Sequence, residues 1–201
     1  MKWGAIGCLG ILVLLVVLGV PLAGSYNTLV HLDQAVQAQW GQVQNVYQRR
    51  ADLVPNLVET VKGAAAFEKD TFTQVAEARS KVGQVGGEGL KNVVNDPQAF
   101  ERFQQAQAGL SSALSRLMVV VEKYPELKAT ANFRDLQAQL EGTENRIAVE
   151  RKRFNDAAQA FNTTRMSFPT VIIANFFGSR FNEKAYFKAA EGAEKAPQVK
   201  F

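Results

Sequence analysis

The chain of 201 residues holds one histidine, His31, and one cysteine, Cys8. Chemistry that needs two histidines, a Cys–His pair or a zinc cluster therefore lacks its groups. A di-iron helical bundle uses Glu-x-x-His pairs, yet the residue three before His31 is Thr28. No G-x-S-x-G elbow occurs, and Gly83, Gly86, Gly87 and Gly89 lack the Gly-Lys-Ser/Thr ending of a phosphate loop. The basic triplet Arg151, Lys152 and Arg153 is flanked by Glu144 and Glu150, which argues against a nucleic-acid face. The expectation is no enzyme, no catalytic residue, no cofactor, no metal and no nucleic-acid partner.

More informative are polar groups set into apolar stripes. Glu68 and Arg79 continue a stripe of Val61, Ala65, Phe72 and Val75. Glu144, Arg151, Asn155 and Asn162 form a file at steps of seven, four and seven, with Glu150 inside the neighbouring seam. Arg50 closes the first seam. An unpaired buried charge costs several kcal/mol, so such groups must pair or reach the surface. The expectation is an interhelical polar network of Glu68, Arg79, Glu144, Arg151, Asn155 and Asn162 that fixes helix register, with Arg79 or Arg151 meeting a carboxylate of another helix. A ligand site or relay between helices is the alternative.

The elements that position these groups are helical. Leu29, Leu32, Val36, Trp40, Val43 and Tyr47 recur at three and four, as do Phe100, Phe103, Leu110, Leu114, Leu117 and Val121. Phe133, Leu136, Leu140, Thr143, Ile147, Glu150, Phe154, Ala157, Phe161, Thr164 and Phe168 keep the same step. Pro55, Pro125 and Pro169 read as helix ends, and Asp96 with Pro97 as an N-cap and first-turn proline. The expected fold is all-α: an N-terminal transmembrane helix continuing into an up-and-down antiparallel four-helix bundle. Residues 1–24 form the anchor and 25–169 the bundle, with helices over 25–52, 55–83, 97–124 and 131–168. Residues 170–201 form an aromatic and basic tail packed on the bundle or on the membrane surface, with 170–177 the one strand-like run. The helix count brings two turns to one end, so Arg49, Arg50, Asp52, Asn56, Tyr124, Glu126, Lys128 and Asn132 are a candidate partner patch. At the other end Phe176, Phe177, Arg180 and Phe181 are a candidate membrane interface.

The anchor rests on the stretch from Trp3 to Ala23, which carries no charge and is long enough as a helix to cross about 30 Å of hydrocarbon. Lys2 precedes it, and no Lys or Arg follows until Arg49. The positive-inside rule then favours a body outside the cytoplasm, in a single-pass protein of the inner membrane that meets lipid through residues 3–23.

Several segments carry a family resemblance. They are Gln48-Arg49-Arg50-Ala51-Asp52-Leu53-Val54-Pro55-Asn56-Leu57-Val58-Glu59-Thr60-Val61-Lys62-Gly63, Tyr124-Pro125-Glu126-Leu127-Lys128-Ala129, and Leu140-Glu141-Gly142-Thr143-Glu144-Asn145-Arg146-Ile147-Ala148. Phe154-Asn155, Phe161-Asn162 and the closing Pro197-Gln198-Val199-Lys200-Phe201 extend them. The chain resembles the bacterial LemA family from its apolar start to its last residue. The resemblance implies a single-pass membrane protein with a helical-bundle body, a cytoplasmic body side and no enzymatic activity. Phe154 and Phe161 stand where tyrosine is common in that family, so these positions read as packing rather than chemistry. Together these readings lead to a membrane-anchored scaffold or interaction protein of the bacterial envelope, with protein partners or a homo-oligomer. A membrane-shaping protein and an envelope sensor or ligand-binding bundle are the alternatives.

Overall fold

A computed structural model describes residues 2–63, 68–86 and 93–188, with side chains from residue 19 onward. Six α-helices are seen among the described residues: α1 Lys2–Lys62, α2 Lys69–Val85, α3 Pro97–Val121, α4 Pro125–Lys128, α5 Ala131–Met166 and α6 Thr170–Phe176. Short 3-10 turns cover Val93–Asn95 and Gly178–Phe181, and residues 182–188 are extended.

Local chemistry accounts for two of the helix starts. Asp96 caps α3, its carboxylate accepting from the N–H groups of Gln98 and Ala99, with Pro97 in the first turn. Thr130 caps α5 by accepting from the N–H of Phe133. Pro55, in contrast, does not end a helix: α1 runs through it to Lys62. A proline withholds the N–H that would bond the carbonyl four residues earlier, here Ala51. The Nε–H of Arg79 on α2 supplies the missing donor, reaching the Ala51 carbonyl at 3.3 Å. The first turn of the bundle therefore lies after Lys62, and α2 begins at Lys69 rather than at Pro55. The C-terminal run 170–177, read as strand-like, is the helix α6. Gly83 lies inside α2, not in a loop; residues 87–92 lie outside the described set.

The helices alternate in direction. Gln39 meets Glu150 and Arg50 meets Glu144, so α1 and α5 are antiparallel. Glu68 lies near Lys123 and Gln74 meets Arg116, which sets α2 antiparallel to α3. Trp40 packs on Phe100 while Arg50 bonds Gln107 and Ser111, which sets α3 parallel to α1.

The core has two apolar clusters. One holds Leu29, Val36, Trp40, Val43, Phe100, Phe154, Phe161 and Phe187. The other holds Val54, Leu57, Val61, Val75, Leu110, Leu117, Phe133 and Leu140. Each such side chain, fully buried, stabilises the fold by about 1.5–3 kcal/mol. Between the clusters lies a polar layer of Arg50, Gln107 and Thr143, all buried.

The expected transmembrane anchor is corrected. Among the described residues, no helix is long and apolar enough to cross a membrane. The described part of α1 is amphipathic instead: Leu29, Val36, Trp40 and Val43 are buried against the bundle, while Asn27, Thr28, His31 and Gln34 face outward. The side chains of residues 1–18, including Cys8 and most of the apolar stretch, lie outside the described residues. With the anchor go lipid contact through residues 3–23, single-pass placement in the inner membrane and the membrane-anchored form of the function. Residues 189–201, with the closing Pro197–Phe201 motif, also lie outside the described set.

Candidate functional site: a buried arginine and a clamped strap

Arg50 is 1% exposed, twelve residues before the C-terminal end of α1. Its Nη1 donates to the Ser111 hydroxyl at 2.7 Å and to Glu144 Oε1 at 2.9 Å. Its Nη2 donates to the backbone carbonyl and the side-chain oxygen of Gln107. The guanidinium lies 5.0 Å from the centre of the Tyr47 ring, and its Nε–H is buried without a partner. Burial pushes the Tyr47 hydroxyl above its ordinary pKa, opposed by the nearby charges of Arg151 and Arg50. The site joins α1, α3 and α5 at one level, and a slip of any helix would strand the charge.

Further down α5, residues 182–188 cross the bundle as an extended strap. Asn155 and Asn162 hold it through their amides. Asn155 donates from Nδ2 to the Phe187 carbonyl at 3.0 Å and accepts the Phe187 N–H at 2.8 Å. Asn162 does the same for Lys184, at 2.9 Å each way. The match is geometric. Seven residues of helix advance about 10.5 Å, and three residues of extended chain advance about 10 Å. Each asparagine thus imitates a neighbouring β-strand's donor and acceptor.

The strap's side chains fill two pockets. Lys184 is 0% exposed; its Nζ lies 2.6 Å from Asp33 Oδ1, donates to Asn95 Oδ1, and sits 4.6 Å from the Phe161 ring centre. Phe187 enters a box of Trp40, Phe100 and Phe154, with ring centres 4.8–6.3 Å away. The Arg151 guanidinium covers the open face of that ring at 4.8 Å, and its Nη2 donates to the Lys188 carbonyl. An open cleft of about 350 Å³ lies between Arg50 and this box, lined by Gln104, Glu144, Arg151 and Lys188 among others.

The sequence-derived candidates are distributed unevenly. Glu144, Arg151, Asn155 and Asn162 are all engaged, on Arg50 and on the strap. Glu68 lies apart, 3.8 Å from Lys123. Among the described residues neither Arg79 nor Arg151 meets a carboxylate; Arg79 donates to the Ala51 carbonyl and Arg151 to the Lys188 carbonyl.

The eight-residue patch does not assemble. Since α1 turns after Lys62, Arg49, Arg50 and Asp52 sit about 15–20 Å below the end of the bundle. Arg50 is core, Arg49 and Asp52 are exposed at mid-helix, and Asp52 accepts from Gln48. Asn56 is exposed about 9 Å below the end of α1. Tyr124, Glu126, Lys128 and Asn132 remain at the α3–α5 turn, where Lys128 pairs with Glu122. Of the aromatic base, Phe176, Phe177 and Arg180 are exposed, while Phe181 is buried against Tyr26 and Phe177. The groups that sequence reasoning missed are Asp33, Asn95, Gln107 and Ser111; Lys184 and Phe187 enter it only as members of the aromatic and basic tail. The one signal toward the strap is the seven-residue spacing of Asn155 and Asn162.

A family model described as the LemA family matches residues 39–201. The chain belongs to the LemA family. Magnetosome protein MamQ 2 of Paramagnetospirillum magneticum (strain ATCC 700264 / AMB-1) is 29% identical over 177 residues, which is 81% of this chain and 64% of that protein. Magnetosome protein MamQ of Magnetospirillum gryphiswaldense is 29% identical over 176 residues, again 81% of this chain and 64% of that protein. Protein LemA of Metamycoplasma hominis is 21% identical over 151 residues, 75% of this chain and 64% of that protein. The chain thus spans 64% of the length of these curated relatives. The chain is a helical bundle of the LemA family.

Proposed function

We propose that this LemA-family bundle is a scaffold that works by docking, and that its docking face is the α5–α6 end. The observation that carries this reading is a cluster of exposed apolar side chains there: Phe168 is 82% and Phe176 81% exposed, with Met166, Ile172 and Phe177 beside them. An exposed patch rich in large apolar groups marks an interaction surface more often than chance would. The rest of the molecule supports a presenting role. The polar layer at Arg50 and the strap pin α1, α3 and α5 together, so the face is held on a rigid frame. Its occupant on this reading is a protein surface, beginning with a second copy of the chain.

A second reading is favoured by Arg180, exposed beside Phe176 and Phe177. Aromatic and basic groups together suit the surface of a lipid bilayer, touched without any segment crossing it. Sedimentation velocity and vesicle flotation of the full chain, with and without Phe168→Ser and Phe176→Ser, separate the two. The docking reading expects concentration-dependent association that both substitutions abolish while the melting temperature stays unchanged. Flotation lost with the same substitutions, and no self-association at any concentration, would replace it by the lipid-surface reading. A monomer that neither associates nor floats would overturn both.

A further inference from the structure

Residues 182–188 are held as a bound peptide is held. The segment is extended, and its backbone is gripped at two points by side-chain amides, which recognise any sequence. Specificity comes from two pockets three residues apart. The first is closed, carries the Asp33 carboxylate and the Asn95 carbonyl oxygen, and is floored by the Phe161 ring; it takes a lysine whose ammonium is wholly withdrawn from water. The second is an aromatic box roofed by a guanidinium and takes a phenylalanine. Between them Ala185 is half-buried against the core, and Tyr186 is exposed with its hydroxyl accepting from Asn162 Nδ2 at 2.9 Å, so neither middle side chain fills a pocket of its own.

We propose that this groove between α1, α3 and α5 is a binding site for extended Lys-x-x-Phe segments, and that it accepts the 182–188 segment of a second copy of this chain in place of its own. The charge complementarity of Lys184 with Asp33 and the fit of Phe187 to its box make that segment the matching ligand. Every contact between strap and groove is reproduced when the strap comes from another molecule, because none depends on the chain being continuous. Gly178, at φ +46, is where the strap's lead-in changes direction. In a single molecule the tethered strap competes at an effective concentration in the millimolar range, so exchange needs high protein concentration or a disabled strap.

Two full-length variants test this. Asn155→Ala with Asn162→Ala blinds the groove and leaves the strap intact. Lys184→Glu with Phe187→Ser disables the strap and leaves the groove intact. Mixed at equal concentration, they are expected to form a one-to-one complex by sedimentation velocity, with the strap-disabled partner's melting temperature raised. Both variants also carry Phe168→Ser and Phe176→Ser, which removes association through the α6 face; in that background neither variant alone should associate while the mixed complex persists, which separates the two sites. A mixture that sediments as two independent species, with both variants retaining helical circular dichroism, overturns the proposal. Should a double variant lose its helicity, the milder Lys184→Ala chain is titrated with a synthetic peptide of residues 182–188. A melting temperature that rises with the logarithm of peptide concentration, and not with a scrambled peptide, supports the site. No rise overturns it.

Discussion

Replacing Glu144 by glutamine removes the one carboxylate, among the described residues, in contact with Arg50, and leaves the side chain's shape nearly unchanged. At 2.9 Å the pair's gross attraction is about 6 kcal/mol at an effective dielectric constant of about 20, and about 1.4 kcal/mol in water. Glu144's side chain is 42% exposed while Arg50's is 2%, so the pair lies between these limits. The neutral amide also keeps a hydrogen bond to Nη1. The expected loss is therefore about 2 kcal/mol, a fall of roughly 4–8 °C in melting temperature for a chain of this size. Removing the whole polar layer should cost less than neutralising half of it. Arg50→Met with Gln107→Leu eliminates the buried charge, the unpartnered Nε–H and the side-chain oxygen that Arg50 satisfies. It also returns Glu144 to water. Apolar replacement of buried ion pairs is often neutral or stabilising, so this double variant is expected within about 1 kcal/mol of the parent. Urea unfolding at pH 7 measures both through midpoint and slope. A glutamine variant as stable as the parent, or a double variant more than about 3 kcal/mol weaker, would refute the view that Arg50's desolvation dominates this layer.

Three further outcomes follow from other parts of the fold. Arg79→Met should cost about 0.5–1 kcal/mol by urea unfolding, and nothing measurable when Pro55→Ala has restored an N–H for the Ala51 carbonyl. Tyr47 has its folded-state pKa raised, so the unfolded chain ionises first; stability should be unaffected below pH 10 and fall as pH rises beyond it. In Tyr47→Phe, unfolding followed between pH 8 and 11.5 should lose that part of the decline. Gly109 and Gly142 are exposed at mid-helix, with open space where a Cβ would stand, so each change to alanine should stabilise by about 0.5–1 kcal/mol in thermal melts.

The helical stripes were legible because burial here follows the helical period. Leu29, Val36, Trp40 and Val43 are all buried, as are Phe100, Phe103, Leu110 and Leu117. Asp96 signalled a helix start through a purely local device. Pro55 misled for the opposite reason: its carbonyl defect is repaired by Arg79, whose sequence position, far along the next helix, says nothing of the repair. That one residue moved the first turn, and with it the proposed patch fell apart. The uncharged N-terminal stretch met the length rule for a span, yet the described part of the same helix buries its apolar side against protein.

The strap was hidden for a deeper reason. Asn155 and Asn162 could be seen as a polar file, and their spacing of two helical turns invited a search for side chains on a facing helix. What they bind is backbone, and backbone recognition leaves no residue type to look for on the other side. Residues 182–188 show no period, and lysine is among the residues least often buried, so nothing local marked Lys184 as core. Its burial is possible only because Asp33, Asn95 and Phe161, from three separate elements, converge on one ammonium group. Convergence of that kind is a property of the assembled bundle. For the same reason the pocket should reject glutamate at 184 far more strongly than alanine, since a second carboxylate would face Asp33 with no water between them.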